Sequence, residues 1–203
     1  MDRKTHWQGE YTAKTDDELS WYQSEPQPSL DMIIAASWGQ GRVIDVGGGS
    51  SRLAERLLDN GFETVAVLDI SNAALDRVKL KLGDRAAQVR WIVADVTTAT
   101  GLGQFDVWHD RAVFHFLTDP CDRARYVQLA HETLIVGGHL IIGTFALDGP
   151  AKCSGLDVVR YSAASLFAEL GHGFEIEREL RHIYLTPREK AQPFIYVVFR
   201  RGG

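Results

Sequence analysis

Cysteine is nearly absent. The 203 residues hold only Cys121 and Cys153, so neither a disulfide framework nor a four-thiolate zinc site can be assembled from one chain. Long hydrophobic runs are missing too: no apolar stretch approaches the roughly 18 residues that cross a bilayer. The start, Met1-Asp2-Arg3-Lys4-Thr5-His6-Trp7, has no apolar signal core. Nor is there an excess of positive charge. Lys and Arg number 22 against 27 Asp and Glu, a net charge of −5 with a sequence pI near 5.8, which disfavours a broad electrostatic grip on nucleic acid or an anionic membrane. Internal repeats and low-complexity segments are lacking as well. What remains is ordinary globular composition, 45% apolar and 24% charged, in a chain long enough to bury roughly 70% of its unfolded surface as one domain. These features predict a cytoplasmic protein with reduced thiols and with neither nucleic acid nor membrane as a partner.

Residues 1–29 are polar, studded with Trp and Tyr, and end in Pro26-Gln27-Pro28. They predict an arm or lid with one short helix from Asp16 to Tyr22, packed on residues 30–203. From there the chain alternates. Apolar spacing predicts helices over Leu30–Trp38, Ser51–Asn60, Ser71–Lys81, Pro120–Leu134 and Ser162–Leu170. Short apolar runs predict strands over Arg42–Val46, Thr64–Leu68, Val89–Val93, Phe105–Trp108 and Leu140–Phe145. Strands alternating with helices call for an α/β fold, a mostly parallel sheet sandwiched between helices. Phe174–Leu185 and Phe194–Arg200 have no helix between them and predict an antiparallel hairpin at the sheet edge. The long loop from Ala146 to Asp157 is a candidate functional segment.

In open parallel sheets, ligands bind at the carboxyl ends of the strands. The first strand leaves through Asp45-Val46-Gly47-Gly48-Gly49-Ser50-Ser51. Such glycines let the backbone approach a ligand closely, and the following helix offers free N–H groups. A dinucleotide loop needs a further glycine where Arg52 stands, and Asp45 suits a cationic ligand better than a pyrophosphate. A dehydrogenase is therefore disfavoured. The second strand ends at Asp69, placed to accept from two ribose hydroxyls; alternatively it is an acid at a helix start. The third ends at Asp95, able to take an adenine amino group with the Val96 amide on the ring, or to cap a solvated turn.

Three acids at three successive strand ends around a glycine loop resemble the S-adenosylmethionine site of class I methyltransferases. The match covers roughly residues 30–203. Asp45-Val46-Gly47-Gly48-Gly49 is similar to the superfamily's Asp/Glu-x-Gly-x-Gly loop, with Ser51 at its usual third glycine, and Gly137-Gly138 keeps the turn that precedes the fifth strand. The resemblance implies a Rossmann-like, three-layer α/β/α sandwich with seven strands in the order 3-2-1-4-5-7-6. It also implies S-adenosyl-L-methionine as cofactor, held by Asp45, Gly47, Gly48, Gly49, Asp69, Ile70, Asp95 and Val96, with no metal.

The fourth strand leaves through Asp106-Val107-Trp108-His109-Asp110-Arg111-Ala112-Val113, which in this superfamily faces the transferred methyl group. The Asp-Arg pair resembles small-molecule methyltransferases of the thiopurine and tellurite-resistance type. The N-terminal His6-Trp7…Tyr11…Trp21-Tyr22 resembles an arm of bacterial relatives of the citrate synthase-lysine group. The leading expectation is methyl transfer to a small-molecule nucleophile. The alternatives are a protein lysine methyltransferase and a cofactor-binding module without catalysis. His109 is the candidate base, because imidazole titrates near neutrality; its other reading is a histidine bonded to backbone. Asp110 either orients His109, steers a cationic acceptor or pairs with Arg111. The expected substrate pocket takes Trp7, Tyr11, Trp21, Tyr22, Trp108, Arg111 and His115, although a packed role suits His115 better, and the four arm aromatics serve either as pocket walls or as anchors.

Overall fold

The computed structural model describes residues 2–203. Its main sheet has seven strands: β1 (Arg42–Val46), β2 (Thr64–Asp69), β3 (Val89–Val93), β4 (Phe105–Arg111), β5 (Leu134–Phe145), β6 (Phe174–Leu185) and β7 (Ala191–Arg201). Their order is β3-β2-β1-β4-β5-β7-β6, as expected. The first five run parallel, while β7 is antiparallel to both β5 and β6.

Side chains alternate across a strand, and the two faces of this sheet bury separate cores. Ile44, Val46, Trp108, Leu140, Ile142 and Phe199 face one side, covered by α5 (Pro120–Thr133) and α6 (Ala163–Leu170). Val43, Val65, Val67, Val107 and Ile141 face the other, covered by α2 (Ser29–Ser37), α3 (Leu53–Asp59) and α4 (Asn72–Leu82). The helices start where the side chains permit. Ser71 Oγ accepts from the Ala74 amide, Ser162 from Ser165, and Asp119 from Cys121 at the head of α5, whose first residue is Pro120. Each cap satisfies a donor that the helix itself leaves free.

Two expectations about local structure need correction. The arm's helix is not at Asp16–Tyr22, where only a three-residue 3-10 turn (Asp16–Glu18) forms. It is α1, Arg3–Ala13, capped by Asp2, whose carboxylate accepts from the Thr5 amide. Trp7 and Tyr11, one turn apart, give this otherwise polar helix a narrow aromatic face that packs edge-on against Trp21 and, through Trp7, Phe116. The second correction concerns β4, which runs three residues beyond Trp108. Both of its neighbours hold it in register: Asp45 opposes His109, Val46 opposes Asp110, and Arg111 opposes Gly143. His109, Asp110 and Arg111 therefore obey strand alternation and do not belong to an exit loop.

The 146–157 loop carries a two-stranded hairpin, Lys152–Cys153 against Leu156–Asp157. Among the described residues no helix is long and apolar enough to cross a membrane.

Candidate active site

At the carboxyl ends of β1 to β4, two adjoining cavities open beneath the arm. The larger contains about 760 Å³ of space free of protein atoms, and Gly47, Asp69, Ile70, Asp95 and Val96 line it. The smaller is lined by Asp45, Gly47, Gly48 and His109. Tyr11, Trp21, Gly47 and Arg111 border both, so the arm and the end of β4 divide one site into two lobes.

The glycine loop is shaped by close approach. The Gly47 amide donates to the Leu68 carbonyl at 2.6 Å. Gly47 has φ +66°, and a Cβ there would run into Val113. A Cβ on Gly48 would meet Val67 at 2.5 Å, and one on Gly49 would run into the Tyr11 hydroxyl. A side chain at any of these three positions would displace its neighbours.

Asp69 is buried at the end of β2. The Gly49 amide donates to its Oδ2 at 2.8 Å and the Ser71 amide to its Oδ1 at 2.7 Å. A carboxylate has about four acceptor sites, so two protein donors leave capacity for two more. Burial pushes its carboxyl up to about 6. A buried acid with spare acceptor capacity, beside apolar walls from Leu68, Ile70, Ala94, Val96 and Leu117, matches a nucleoside: hydroxyls for the carboxylate and a flat ring for the apolar slot. Asp95 accepts from the Thr97 amide and hydroxyl through Oδ1 alone. The residues present thus fit S-adenosylmethionine.

On β4 the candidates separate by face. His109, 2% exposed, donates from Nδ1 to Asp45 Oδ1 at 2.7 Å, and its buried Nε2 has no partner. It lies on the strand beneath the glycine loop, and its carboxylate partner is Asp45. Asp110 points to the opposite face and is fully buried. There it accepts from the Val113 and Phe114 amides at 2.9 and 3.1 Å and from the Tyr126 hydroxyl at 2.7 Å. Burial raises its carboxyl to about 6. Asp110 borders neither lobe and cannot orient His109; it shapes the turn after β4. The expectation of a catalytic Asp110 is corrected on that ground.

Two pocket expectations fail for related reasons. Trp108 shares Asp110's face and is wholly buried, donating from Nε1 to the Tyr126 hydroxyl at 2.9 Å. His115 is buried against Phe116 and Phe145, neither ring nitrogen has a partner, and desolvation pulls its pKa down to about 3. It is a neutral core residue. Trp7, Tyr11, Trp21 and Arg111 do line the larger lobe, and Tyr22 lines the smaller.

Several wall residues escaped the sequence reading: Arg3, Phe116 and Leu117 in the larger lobe, and Ser29 and Ser50 in the smaller. Phe116 carried a signal, since it follows His115 in the aromatic turn. Arg3 and Ser29 carried none, because only the folded arm brings them to the site. From the 146–157 loop, Cys153 alone reaches the larger lobe, and burial raises its thiol pKa, which keeps it unreactive.

Comparisons with known proteins agree with this geometry. Residues 44–142 match the family model of a methyltransferase domain. A malonyl-[acyl-carrier protein] O-methyltransferase from Ilyobacter polytropus is 27% identical over 134 residues, 66% of this chain and 48% of that protein. The chain spans about half the length of the curated relatives it matches. Among solved structures, one from work on converting a disulfide bond into a thioacetal group during echinomycin biosynthesis superposes with a TM-score of 0.81 at 20% identity, over 99% of this chain and 92% of that one. The N-methyltransferase NodS from Bradyrhizobium japonicum, in complex with S-adenosyl-L-homocysteine, superposes with 0.74 at 16% identity over the full length of both chains. At these identities the structural likenesses establish the fold.

Proposed function

We propose that the chain is a class I S-adenosylmethionine-dependent methyltransferase, in keeping with the methyltransferase-domain match over residues 44–142, and that it transfers a methyl group from S-adenosylmethionine to a nucleophile on a small molecule. The observation that carries the reading is the buried Asp69, with acceptor capacity to spare, set between the Gly47–Gly49 loop and the Asp95–Val96 strand end. When bound, S-adenosylmethionine supplies an electrophilic methyl group on a sulfonium sulfur. Asp69 would take its ribose hydroxyls, Asp95 and Val96 its adenine, and Asp45 with the loop glycines its methionine end.

The arm favours a small acceptor. Trp7, Tyr11 and Trp21 roof the larger lobe, where a protein lysine enzyme needs an open groove. Enclosure excludes water and fixes the acceptor at in-line distance, which supplies much of the rate for such a displacement. An amine or alcohol acceptor also has to lose a proton. With Nδ1 held by Asp45, His109 keeps its Nε2 lone pair free, the arrangement that a carboxylate-oriented imidazole base uses. The relatives do not decide the acceptor atom, for one is named an O-methyltransferase and another an N-methyltransferase.

The test is turnover of S-adenosylmethionine against a panel of amines, alcohols and thiols, with wild type and His109→Ala. The variant is expected to lose about 10²–10⁴-fold with amines or alcohols and much less with thiols, which are partly ionised near neutrality. Binding of the cofactor with no turnover on any acceptor would favour the non-catalytic alternative.

A further inference from the structure

Arg111 holds a positive charge that no carboxylate offsets. Among the described residues it forms no salt bridge, although most other arginines near the site do. Its Nε donates to the Tyr196 hydroxyl at 3.1 Å and its Nη1 to the Trp21 carbonyl at 2.9 Å, both neutral acceptors. The guanidinium carbon lies 4.7 Å from the Tyr184 ring centroid and 5.1 Å from that of Phe194. Nη2 is buried with no partner at all, and the residue borders both lobes.

Withdrawing a guanidinium from water without a counter-charge is costly. The two rings offset part of that cost, but neither supplies a formal counter-charge. The acids of the two lobes are engaged elsewhere, Asp45 with His109 and Asp69 with the Gly49 and Ser71 amides, and the nearby His115 and His182, whose pKa values burial lowers with the charge of Arg111 adding to it, are held neutral. The unfilled donor therefore calls for an anion from outside the chain.

Resting on the methyltransferase reading above, we propose that Arg111 is the counter-charge for a carboxylate on the methyl acceptor, so that the substrate class is a small organic acid. The walls beside it define the rest of that acid. Trp7, Trp21 and Phe116 line the larger lobe with Arg111, so the body carrying the carboxylate is aromatic or otherwise apolar. A planar fork of N–H donors suits a carboxylate better than a compact ammonium would.

The experiment uses the full chain saturated with S-adenosylhomocysteine and titrates a matched pair of probes, 3-phenylpropionate and 3-phenylpropionamide, by calorimetry. The carboxylate is expected to bind at least about tenfold more tightly than the amide, the difference a charge-assisted hydrogen bond makes. Arg111→Met should erase that preference and Arg111→Lys retain part of it. Equal affinity of the two probes for wild type, or no binding of the carboxylate, overturns the proposal even should the variants fail to fold. A second arm compares S-adenosylhomocysteine with 5′-methylthioadenosine, which lacks the amino acid end. If Arg111→Met weakens the first about tenfold and leaves the second unchanged, the arginine serves the cofactor's carboxylate, and the proposal is overturned. Failure of wild type to bind S-adenosylhomocysteine at all would instead remove the methyltransferase reading beneath it.

Discussion

Strands β1, β4 and β5 bury Ile44, Val107, Ile141 and Ile142 completely, whereas α1 buries only Tyr11 among its eleven residues. The arm contributes one small apolar cluster, in which Tyr11 and Leu19 meet Ala74, and polar contacts supply the rest of its hold. Arg3 pairs with Asp122 at 2.6 Å, Asp16 with Arg77 at 3.3 Å and also with Lys81, and Glu25 with Arg56 at 2.5 Å. Arg77 also donates to the Tyr11 and Lys14 carbonyls. Burial of apolar surface dominates stability, while exposed ion pairs contribute little each. With less apolar surface buried, the roof is expected to open at lower free energy than the floor, as a cover over a ligand must.

Removing residues 1–29 should separate the two regions most sharply. The sheet should still melt cooperatively, while methyl transfer falls about 10²-fold or more because the acceptor is no longer enclosed or aligned. A truncated protein with full turnover would make the arm a mere tail. Next in size is Ile44→Ala, a cavity in the central strand, expected to cost about 2–5 kcal/mol in urea unfolding. Trp21→Ala in the arm should cost the same transition less than about 1 kcal/mol while weakening ligand binding; equal losses would mean that arm and sheet unfold as one unit. Gly47→Ala falls between them, at about 1–3 kcal/mol, from its positive φ and the collision with Val113.

The acids of the floor give a smaller effect with a definite sign. Burial raises Asp69 and Asp110 to about 6 from an ordinary 3.8. Between these values the folded protein keeps protons that the unfolded chain has released. Their contribution to stability is thus complete below about pH 4 and lost as pH rises through about 6. Compared with Asp69→Asn, wild type should lose thermal stability more steeply across that window; parallel curves would contradict the assignment. Salt is the mildest probe. Going from 0.05 to 1 M NaCl should speed hydrogen exchange in α1, by weakening its exposed pairs by about 0.2–1 kcal/mol in all, and leave β1 and β4 unaffected.

The same contrast explains what could be read from the sequence. The centre of the sheet was legible because an apolar run there records its own burial: Arg42–Val46 is almost wholly buried and has the expected bounds, and the edge hairpin is antiparallel as expected. The cofactor-side candidates were legible because each follows directly from a strand end, and the two lobes gather all of them except Gly49, which reaches the site by donating to Asp69. The acceptor side was not, because it depends on tertiary partners. The length of β4 is set by β1 and β5, and that length puts Asp110 and Trp108 on the far face. Helix α1 escaped because its aromatic face is only two residues wide, and its polar remainder makes sense only beside Arg77 and Asp122.

Asp69 is the residue on which the proposed cofactor site turns, and titration of S-adenosylhomocysteine into wild type and Asp69→Ala tests it directly. Two lost hydrogen bonds to a charged group, each worth about 1.5–3 kcal/mol, predict at least a roughly tenfold fall in affinity. The variant's melting curve must show that it is folded. A folded Asp69→Ala protein that binds S-adenosylhomocysteine as tightly as wild type would contradict the placement of the cofactor and the site built around it.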